Sequence, residues 1–279
     1  MAKVKAKKKY ELTDETMVVG GVTLHRIRAL VAIAAIGVAA GDLGGWIERE
    51  DNLSQVSGNA WVSGDARVYG DARVYGNAQV YGDARVYGDA QVYGDAWVSG
   101  NARVYGNAWV YGDARVYGNA QVYGNAWVYG DAQVYGNARV YGDARVYGNA
   151  RVSGDAQVYG DARVYGYARV YGDARVYGNA QVYGYAQVSG NARVYGDAWV
   201  YAPIICATRT DGYTFVVAHD QHYVVRIIAG CRYLTPDEAR RHWTDTRGGT
   251  KLGDESLALI DHLERMAKLQ GWPTPESRP

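Results

Sequence analysis

A six-residue unit repeats without insertion or deletion from Ser57 to Val200, and no other feature of the chain constrains its fold as strongly. Each unit reads Tyr or Ser, Gly, Asn or Asp, Ala, then Arg, Gln or Trp, and Val, so the 144 residues hold 24 units. Ala-x-Val-Tyr alternates between the inner and outer sides of a short strand, and Gly followed by Asn or Asp favours a turn. Because one unit cannot bury its own Ala and Val, consecutive units must coil and stack into an all-β solenoid.

The departures from the repeat predict the length of one coil. After the opening Ser57, Ser replaces Tyr at four positions within the array: Ser63, Ser99, Ser153 and Ser189. Their spacings of 36, 54 and 36 residues are all multiples of 18, and Tyr167 and Tyr185, which replace Asn or Asp, are also 18 apart. A coil of 24 residues would scatter the serines over four places. We therefore predict a parallel β-helix with three hexapeptides (18 residues) per coil, about eight coils and three flat sheets.

An 18-residue coil sorts the outer side chains onto three faces of different composition. We name the first, second and third faces by the strands that contain Gln79, Arg85 and Gln91. The four serines and both substituted turn residues all fall on the first face, which is therefore the candidate contact surface. Its candidate residues are Trp61, Ser63, Trp97, Ser99, Arg115, Arg151, Ser153, Tyr167, Arg169, Tyr185 and Ser189.

Two interpretations of the outer side chains remain open. In the structural one, like residues stack in every coil and stabilise one another. In the functional one, aromatic rings and guanidinium groups form a flat platform for a protein or glycan partner. The asymmetry of the first face favours a role in binding there.

The flanking sequences divide the rest of the chain. We predict a basic tail at 1–9, an N-terminal capping segment at 10–56, the hexapeptide β-helix at 57–201 and a small α/β C-terminal cap at 202–279. Residues 10–56 are expected to cover the sheet edges of the first coil. The predicted elements of the C-terminal cap are strands at Ile204–Thr208, Tyr213–Ala218 and Tyr223–Ala229, a helix from the Thr235–Glu238 capping box to about Trp243, and a helix from about Glu255 to a stop at Gly271–Pro273.

Charge and cysteine content exclude several classes of function. The net charge is +1 and the array holds 12 Arg and 12 Asp, so nothing favours nucleic acid or an acidic membrane. The apolar run Ala29–Ala40 is too short to span a bilayer, and two cysteines are not a disulfide framework. These features predict a protein of a reducing compartment, the cytoplasm. One alternative is a zinc site, for which the candidate ligands are Cys206, His219, His222 and Cys231, although their spacing matches no known finger.

The repeat resembles the hexapeptide-repeat family, in which an aliphatic residue and a small residue four places later point inward, as Val68 and Ala72 do. This resemblance implies a left-handed β-helix. Three segments, Leu12–Thr16, Gly41–Glu48 and Asn52–Gln55, resemble the leader of phage and prophage hexapeptide-repeat proteins. That resemblance implies a phage-type origin, in a bacterial host cell or a virion, and it implies no particular chemistry.

Enzymes of the hexapeptide-repeat family are acyltransferases that use a histidine base between the subunits of a trimer. Here the five histidines (His25, His219, His222, His242 and His262) all lie outside the array, which also lacks an inserted loop. We therefore predict a structural or binding solenoid without a cofactor, with a homotrimer implied by the resemblance. A CoA-dependent acyltransferase is the alternative.

Overall fold

The computed structural model describes residues 8–56, 58–201, 205–220, 222 and 224–271, and it consists of two compact units, 1–149 and 150–279. The basic tail up to Lys7 and the predicted helix stop at Pro273 lie outside the described residues. Each unit is described by itself below.

The first unit begins with a small antiparallel sheet of three strands, β1 (Tyr10–Val19), β2 (Val22–Ala29) and β3 (Leu43–Ile47). Gly20 and Gly21 form the turn between β1 and β2 with positive φ angles, which only glycine adopts without strain. Two short 3-10 turns, Ala34–Ile36 and Glu50–Asn52, lie between β2 and the repeats.

The repeats of the first unit form strands of two or three residues. These strands are β4 Trp61–Val62, β5 Arg67–Val68, β6 Arg73–Val74, β7 Gln79–Val80, β8 Arg85–Val86, β9 Gln91–Val92, β10 Trp97–Val98, β11 Arg103–Val104, β12 Trp109–Tyr111, β13 Arg115–Val116, β14 Gln121–Val122, β15 Trp127–Tyr129, β16 Gln133–Val134, β17 Arg139–Val140 and β18 Arg145–Val146. Every third strand pairs in parallel, which gives the orders β4-β7-β10-β13-β16, β5-β8-β11-β14-β17 and β6-β9-β12-β15-β18.

The register of these pairs confirms the 18-residue coil. Val68 pairs with Val86, which lies one coil further on, and the Arg67 N–H donates to the Ala84 carbonyl at 2.9 Å. The Val and Ala of every hexad in the first unit are at most 1% exposed. The parallel β-solenoid with inward Val is therefore confirmed, and five of the eight predicted coils lie in this unit.

The N-terminal segment packs against the first coil. β3 pairs antiparallel with β2 and parallel with β5, so it continues the second-face sheet with one further turn. The Asn52 side chain is fully buried and donates to the carbonyls of Ala72 at 2.8 Å and Gly70 at 3.0 Å. These contacts satisfy backbone groups that an open edge would leave exposed.

Lys9, the last residue of the predicted basic tail at 1–9, is buried. This residue is only 7% exposed, and its Nζ donates to the Ala60 carbonyl at 2.8 Å. Burial lowers the pKa of Lys9 to about 8. The sequence pattern did not indicate this burial. Among the described residues, no helix is long and apolar enough to cross a membrane.

The second unit contains three further coils and the C-terminal cap. Its repeat strands are β19 Arg151–Val152, β20 Gln157–Val158, β21 Arg163–Val164, β22 Arg169–Val170, β23 Arg175–Val176, β24 Gln181–Val182, β25 Gln187–Val188, β26 Arg193–Val194 and β27 Trp199–Val200. They pair in parallel in the orders β19-β22-β25, β20-β23-β26 and β21-β24-β27.

The cap adds antiparallel strands to the third-face sheet of the second unit. The cap elements are β28 Ile205–Thr208, β29 Thr214–His219, β30 Val225–Ala229, β31 Arg232–Leu234, α1 Pro236–Arg247 and α2 Lys251–Leu269. β29 pairs with β27 and β28, and β30 and β31 follow in order. Phe215, Ile227, Trp243 and Ile260 form part of one buried apolar core between the strands and the two helices.

The predicted hairpin and capping box are confirmed. The end of the first helix and the start of the second differ from the prediction. α1 continues to Arg247, one turn past Trp243, and α2 begins at Lys251 because the Thr250 hydroxyl accepts from the Gly253 N–H at 3.1 Å. β31 was not predicted. Its pairing with β30 across the turn at Gly230, which has positive φ, depends on a contact that local propensity does not reveal.

The stacking of coils predicts unequal costs for two glycine substitutions. In Gly94→Ala, the new Cβ would lie 2.9 Å from the Gly112 backbone nitrogen, whereas at Gly190, in the last coil, nothing lies within 4 Å. Both glycines have positive φ, so both substitutions lose about 1–2 kcal/mol from the backbone conformation. We expect Gly94→Ala to lower the free energy of unfolding by at least about 1 kcal/mol more than Gly190→Ala, measured by urea titration. Equal losses would contradict the tight approach of neighbouring coils.

Candidate functional site

The first face of the first unit carries one column of side chains along its sheet, with one side chain from each coil. Trp61, Gln79, Trp97 and Arg115 occupy paired positions in β4, β7, β10 and β13. Parallel pairing places successive members about 4.8 Å apart. The structure therefore brings Trp97 and Arg115 together, as the 18-residue coil predicts.

A cavity of about 310 Å³ lies on this face of the first unit. One wall is apolar and comes from Ala35 and Ile36 in the first 3-10 turn. The remaining lining belongs to two columns of the repeat array: Asn59, Asn77, Asp95 and Asp113 in the turns, with Gln79, Trp97 and Arg115 on the strands. An N-terminal loop thus converts part of a flat sheet into a concave site.

The Trp97 ring is the exposed aromatic surface of this cavity. Its side chain is 38% exposed, and the Arg115 guanidinium carbon lies 5.0 Å from the ring centroid. The Tyr81 ring meets it edge-on at 6.3 Å and 76°. These two contacts restrict the orientation of the indole.

The turn side chains form an oriented hydrogen-bond chain that ends in carboxylates. Asn59 Nδ2 donates to Asn77 Oδ1 at 3.1 Å, and Asn77 Nδ2 donates to Asp95 Oδ1 at 3.0 Å. Asp113 follows one coil further on, and both aspartates are exposed. The cavity therefore presents acceptors at its carboxylate end and guanidinium donors at Arg115.

Trp61 does not contribute to the exposed surface, contrary to the prediction. It is only 4% exposed, and the Tyr10 ring packs edge-on against it at 6.4 Å. The Tyr10 hydroxyl donates to the Leu53 carbonyl at 2.7 Å, which anchors the N-terminal strand above the first coil. Trp61 is consequently part of the capping contact. Ser63 and Ser99 remain half-buried on the first face of this unit.

In the second unit the predicted residues form a separate group. Arg151 pairs with Arg169 in neighbouring strands of the first-face sheet. Tyr167 and Tyr185 are 55% and 72% exposed, and their rings stack at 5.2 Å and 6°. Ser153 and Ser189 are half-buried in the adjoining column. This group has exposed aromatic area, and none of its members lines the cavity of the first unit.

Sequence reasoning missed most of the cavity. It did not select Ala35, Ile36, Asn77, Asp95 or Asp113, which line it. The turn column of the first face contains one usable signal, since Asp95, Asp113 and Asp131 follow one another at intervals of 18 residues. Three like charges in one column disfavour a purely structural role. The contribution of Ala35 and Ile36 carried no comparable signal.

The tyrosines of the other two faces form continuous ladders in the first unit. On the second face, Tyr87 and Tyr105 stack at 4.9 Å and 1°, and on the third face Tyr93 and Tyr111 stack at 4.9 Å and 2°. Each ring inside such a ladder covers the faces of its neighbours, so a partner meets ring edges and hydroxyl groups. The structural interpretation of stacked side chains therefore describes these two faces.

The ladders also change the acidity of their phenols. Burial, together with the neighbouring Tyr75 and Tyr111, raises the pKa of Tyr93 to about 12. Burial likewise raises the pKa values of Tyr105, Tyr111 and Tyr123, partly offset by nearby arginines.

The four candidate zinc ligands do not form a site. Among the described residues, no group of three or more His, Cys, Asp or Glu side chains is placed to hold a metal ion. His219 is fully buried, with Nδ1 2.9 Å from the Asp220 carbonyl oxygen, whereas Cys206 and Cys231 are exposed thiols. His222 lies in the turn after β29, where its N–H donates to Asp220.

Comparison with known proteins agrees with the architecture. The family described as YdcK beta solenoid repeat matches ten segments: 66–80, 78–94, 90–106, 96–112, 120–132, 132–146, 144–158, 156–170, 168–184 and 186–202. Together with the parallel sheets and the 18-residue register, this match defines the chain as a β-solenoid repeat protein. No curated protein matches the chain in sequence.

Two solved structures match the chain at low identity and low TM-score. One is a Bacillus cereus protein provisionally described as an acetyltransferase, with 11% identity and a TM-score of 0.24, covering 69% of this chain and 93% of its own. The other is LpxA from Acinetobacter baumannii, with 12% identity and a TM-score of 0.30, covering 68% of this chain and 91% of its own. Similarity this low says nothing about activity.

The raised tyrosine pKa values predict a loss of stability in alkaline solution. Unfolded tyrosines lose their protons near pH 10, while the ladder tyrosines retain theirs, so the free energy of unfolding falls as the pH rises from about 10 to about 12. We expect phenolate absorbance to develop in part above the range of free tyrosine. Tyr93→Phe should lose less stability than the wild type between about pH 9 and about pH 11, measured by urea unfolding. An ordinary titration midpoint for all tyrosines would contradict this.

Proposed function

We propose that the protein is a non-enzymatic binding solenoid that holds a glycan in the first-face cavity of its first unit. One observation carries the proposal: an exposed Trp97 ring, the Arg115 guanidinium and a row of amide and carboxylate groups line the same cavity of about 310 Å³. No cofactor is needed for this role.

The chemistry of the lining suits a sugar. A pyranose ring has an apolar face that packs on an aromatic ring, and hydroxyl groups that both donate and accept. Asn77 and Gln79 offer donors and acceptors, Asp95 and Asp113 offer acceptors, and Arg115 offers donors. The cavity has the size of a small-ligand site, whereas a stable protein partner would need about 800 Å² of surface on each side. A glycan is therefore favoured over a protein partner.

The setting of this activity is also proposed. The leader-like segments Leu12–Thr16, Gly41–Glu48 and Asn52–Gln55 support a phage or prophage origin. We accordingly place the protein in the cytoplasm of a bacterial host, with association with a virion as the alternative. The hexapeptide-repeat resemblance supports a homotrimer, which light scattering on the purified chain would test.

Removal of the Trp97 ring should weaken glycan binding. Cellotriose, chitotriose and maltotriose serve as probes, and we expect at least one of them to bind the wild type. Loss of the stacking surface in Trp97→Ala should lower its affinity by about tenfold, measured by calorimetry. Trp127→Ala is the matched control, because Trp127 also contacts an arginine and a tyrosine ring, Arg145 at 5.0 Å and Tyr111 at 6.4 Å, although it stacks in addition on Trp109 at 5.3 Å. Equal losses in both variants, or no binding by the wild type, would contradict the proposal.

The protein should not transfer acetyl groups. Hexapeptide-type acyltransferases use a histidine base in the array, and residues 57–201 contain no histidine. We expect no release of CoA from acetyl-CoA above background with amine or sugar acceptors. Chromatography is the suitable measurement, because the exposed thiols of Cys206 and Cys231 would react with a thiol reagent. Saturable CoA binding with turnover would instead support the acyltransferase alternative.

A further inference from the structure

The first face of the first unit contains a gap one aromatic ring wide. Its outer column reads Ser63, Tyr81, Ser99, Tyr117 and Tyr135, whereas the corresponding columns of the second and third faces have a tyrosine in every coil. In those ladders the ring centroids of neighbours lie 4.8 to 5.1 Å apart. At Ser99 the ring is missing, and the two flanking rings lie two coils apart, about 10 Å between centroids at this spacing.

Tyr81, one wall of the gap, is held in the position of a ladder tyrosine although it has no tyrosine neighbour in its column. Its ring meets Trp97 at 6.3 Å and 76°. Within the third-face ladder, Tyr93 meets Trp109 at 6.2 Å and 76°. Because the two geometries agree, the indole alone orients the Tyr81 ring as stacking orients Tyr93.

Tyr117, the other wall, is held by its own neighbours. Its ring stacks on Tyr135 at 4.9 Å and 2°, and its hydroxyl donates to Gln133 Oε1 at 3.5 Å. The ladder tyrosine Tyr105 makes the same contact with Gln121 at 3.5 Å. The floor is equally regular, since the Ser99 N–H donates to the Val116 carbonyl at 2.9 Å. The gap is therefore preorganised on three sides.

We propose that this gap binds a single phenolic ring, which takes the place of the missing tyrosine between Tyr81 and Tyr117. A ring at the ladder spacing would stack on both walls. Ladder hydroxyls reach the residue sixteen positions further on, as the contacts of Tyr105 with Gln121 and of Tyr117 with Gln133 show. The corresponding residue for Ser99 is Arg115, a cation that donates to an acceptor oxygen. The ligand class is accordingly an aromatic ring with an oxygen opposite its point of attachment.

This site adjoins the glycan cavity and shares two residues with it, since Arg115 lines both and Trp97, a cavity residue, holds the Tyr81 wall. The cavity is lined by the turn and strand columns, and in each hexad the strand residue and Val separate the turn residue from the position of Ser99. Ser99 itself does not line the cavity, so a substitution at Ser99 tests the gap separately from the glycan site.

The test fills the gap at one position and creates one at another. The probes are 4-methylphenol and the peptide Gly-Tyr-Gly, with 4-methylcyclohexanol as the non-aromatic control, and binding is followed by NMR titration. Ser99→Tyr restores the ladder that the other two faces already contain, and it should weaken 4-methylphenol binding by about tenfold or more. Tyr105→Ser opens an equivalent gap between Tyr87 and Tyr123 on the second face, and it should add a second binding site.

The double variant Ser99→Tyr/Tyr105→Ser should bind one equivalent at the second face, which keeps the test valid if either single variant folds poorly. Binding of Gly-Tyr-Gly as well as 4-methylphenol would indicate a tyrosine of a partner chain, whereas binding of 4-methylphenol alone would indicate a free phenol. Unchanged affinity in Ser99→Tyr, no added site in Tyr105→Ser, or equal binding of 4-methylcyclohexanol would overturn the proposal.

Discussion

The backbone hydrogen bonds between consecutive coils are the interaction on which the whole structure depends. A hexad has strands of only two or three residues, and the N–H of Arg67 finds its acceptor at Ala84, 17 positions further on. This reach requires the backbones at the corners to stack closely, and a Cβ at Gly94 would lie 2.9 Å from the next coil. Gly is therefore needed twice over, for its positive φ and for the absence of a side chain. The core of Ala and Val fits inside a coil whose dimensions the backbone has already fixed.

The same register controls the outside of the solenoid. Because coils stack at a fixed spacing, like residues in one column meet at a distance that suits aromatic stacking, and the tyrosine ladders of the second and third faces cover their own ring faces. Surfaces able to receive a ligand consequently arise where the repeat is interrupted. Trp97 lies beside the Ser99 gap, and Ala35 and Ile36 turn the neighbouring columns into a cavity. In this protein, irregularity within the array marks the candidate sites.

The ends of the solenoid are closed by different means. The N-terminal segment inserts polar side chains, with Lys9 and Asn52 donating to carbonyls of the first coils. The C-terminal cap has its own apolar core, and its buried Arg209 donates to both carboxylate oxygens of the exposed Asp211 and to Ser256 in α2. The Arg209 guanidinium lowers the pKa of Asp211 to about 2. At the N-terminal end these donors, and at the C-terminal end the pairing of β29 with β27, occupy edge groups that would otherwise favour association through exposed strands.

Much of this structure follows from the sequence alone. The spacing of Ser63, Ser99, Ser153 and Ser189 determined the 18-residue coil, because only that period places all four in one column. The alternation of Ala-x-Val-Tyr determined which side chains are buried, and the Thr235–Glu238 capping box determined where α1 begins. These features are local or strictly periodic, so no knowledge of distant contacts is required.

Only the tertiary structure decided which departures from the repeat form a site. Trp61 and Trp97 have the same position in their hexads. Tyr10, which lies 51 residues before Trp61, packs against Trp61 and buries it, whereas Trp97 is exposed. Ala35 and Ile36 reach the cavity through the path of a loop whose sequence shows no binding signal. Contacts between segments far apart in the chain follow no period. The repeat therefore does not predict which side chains these contacts bury.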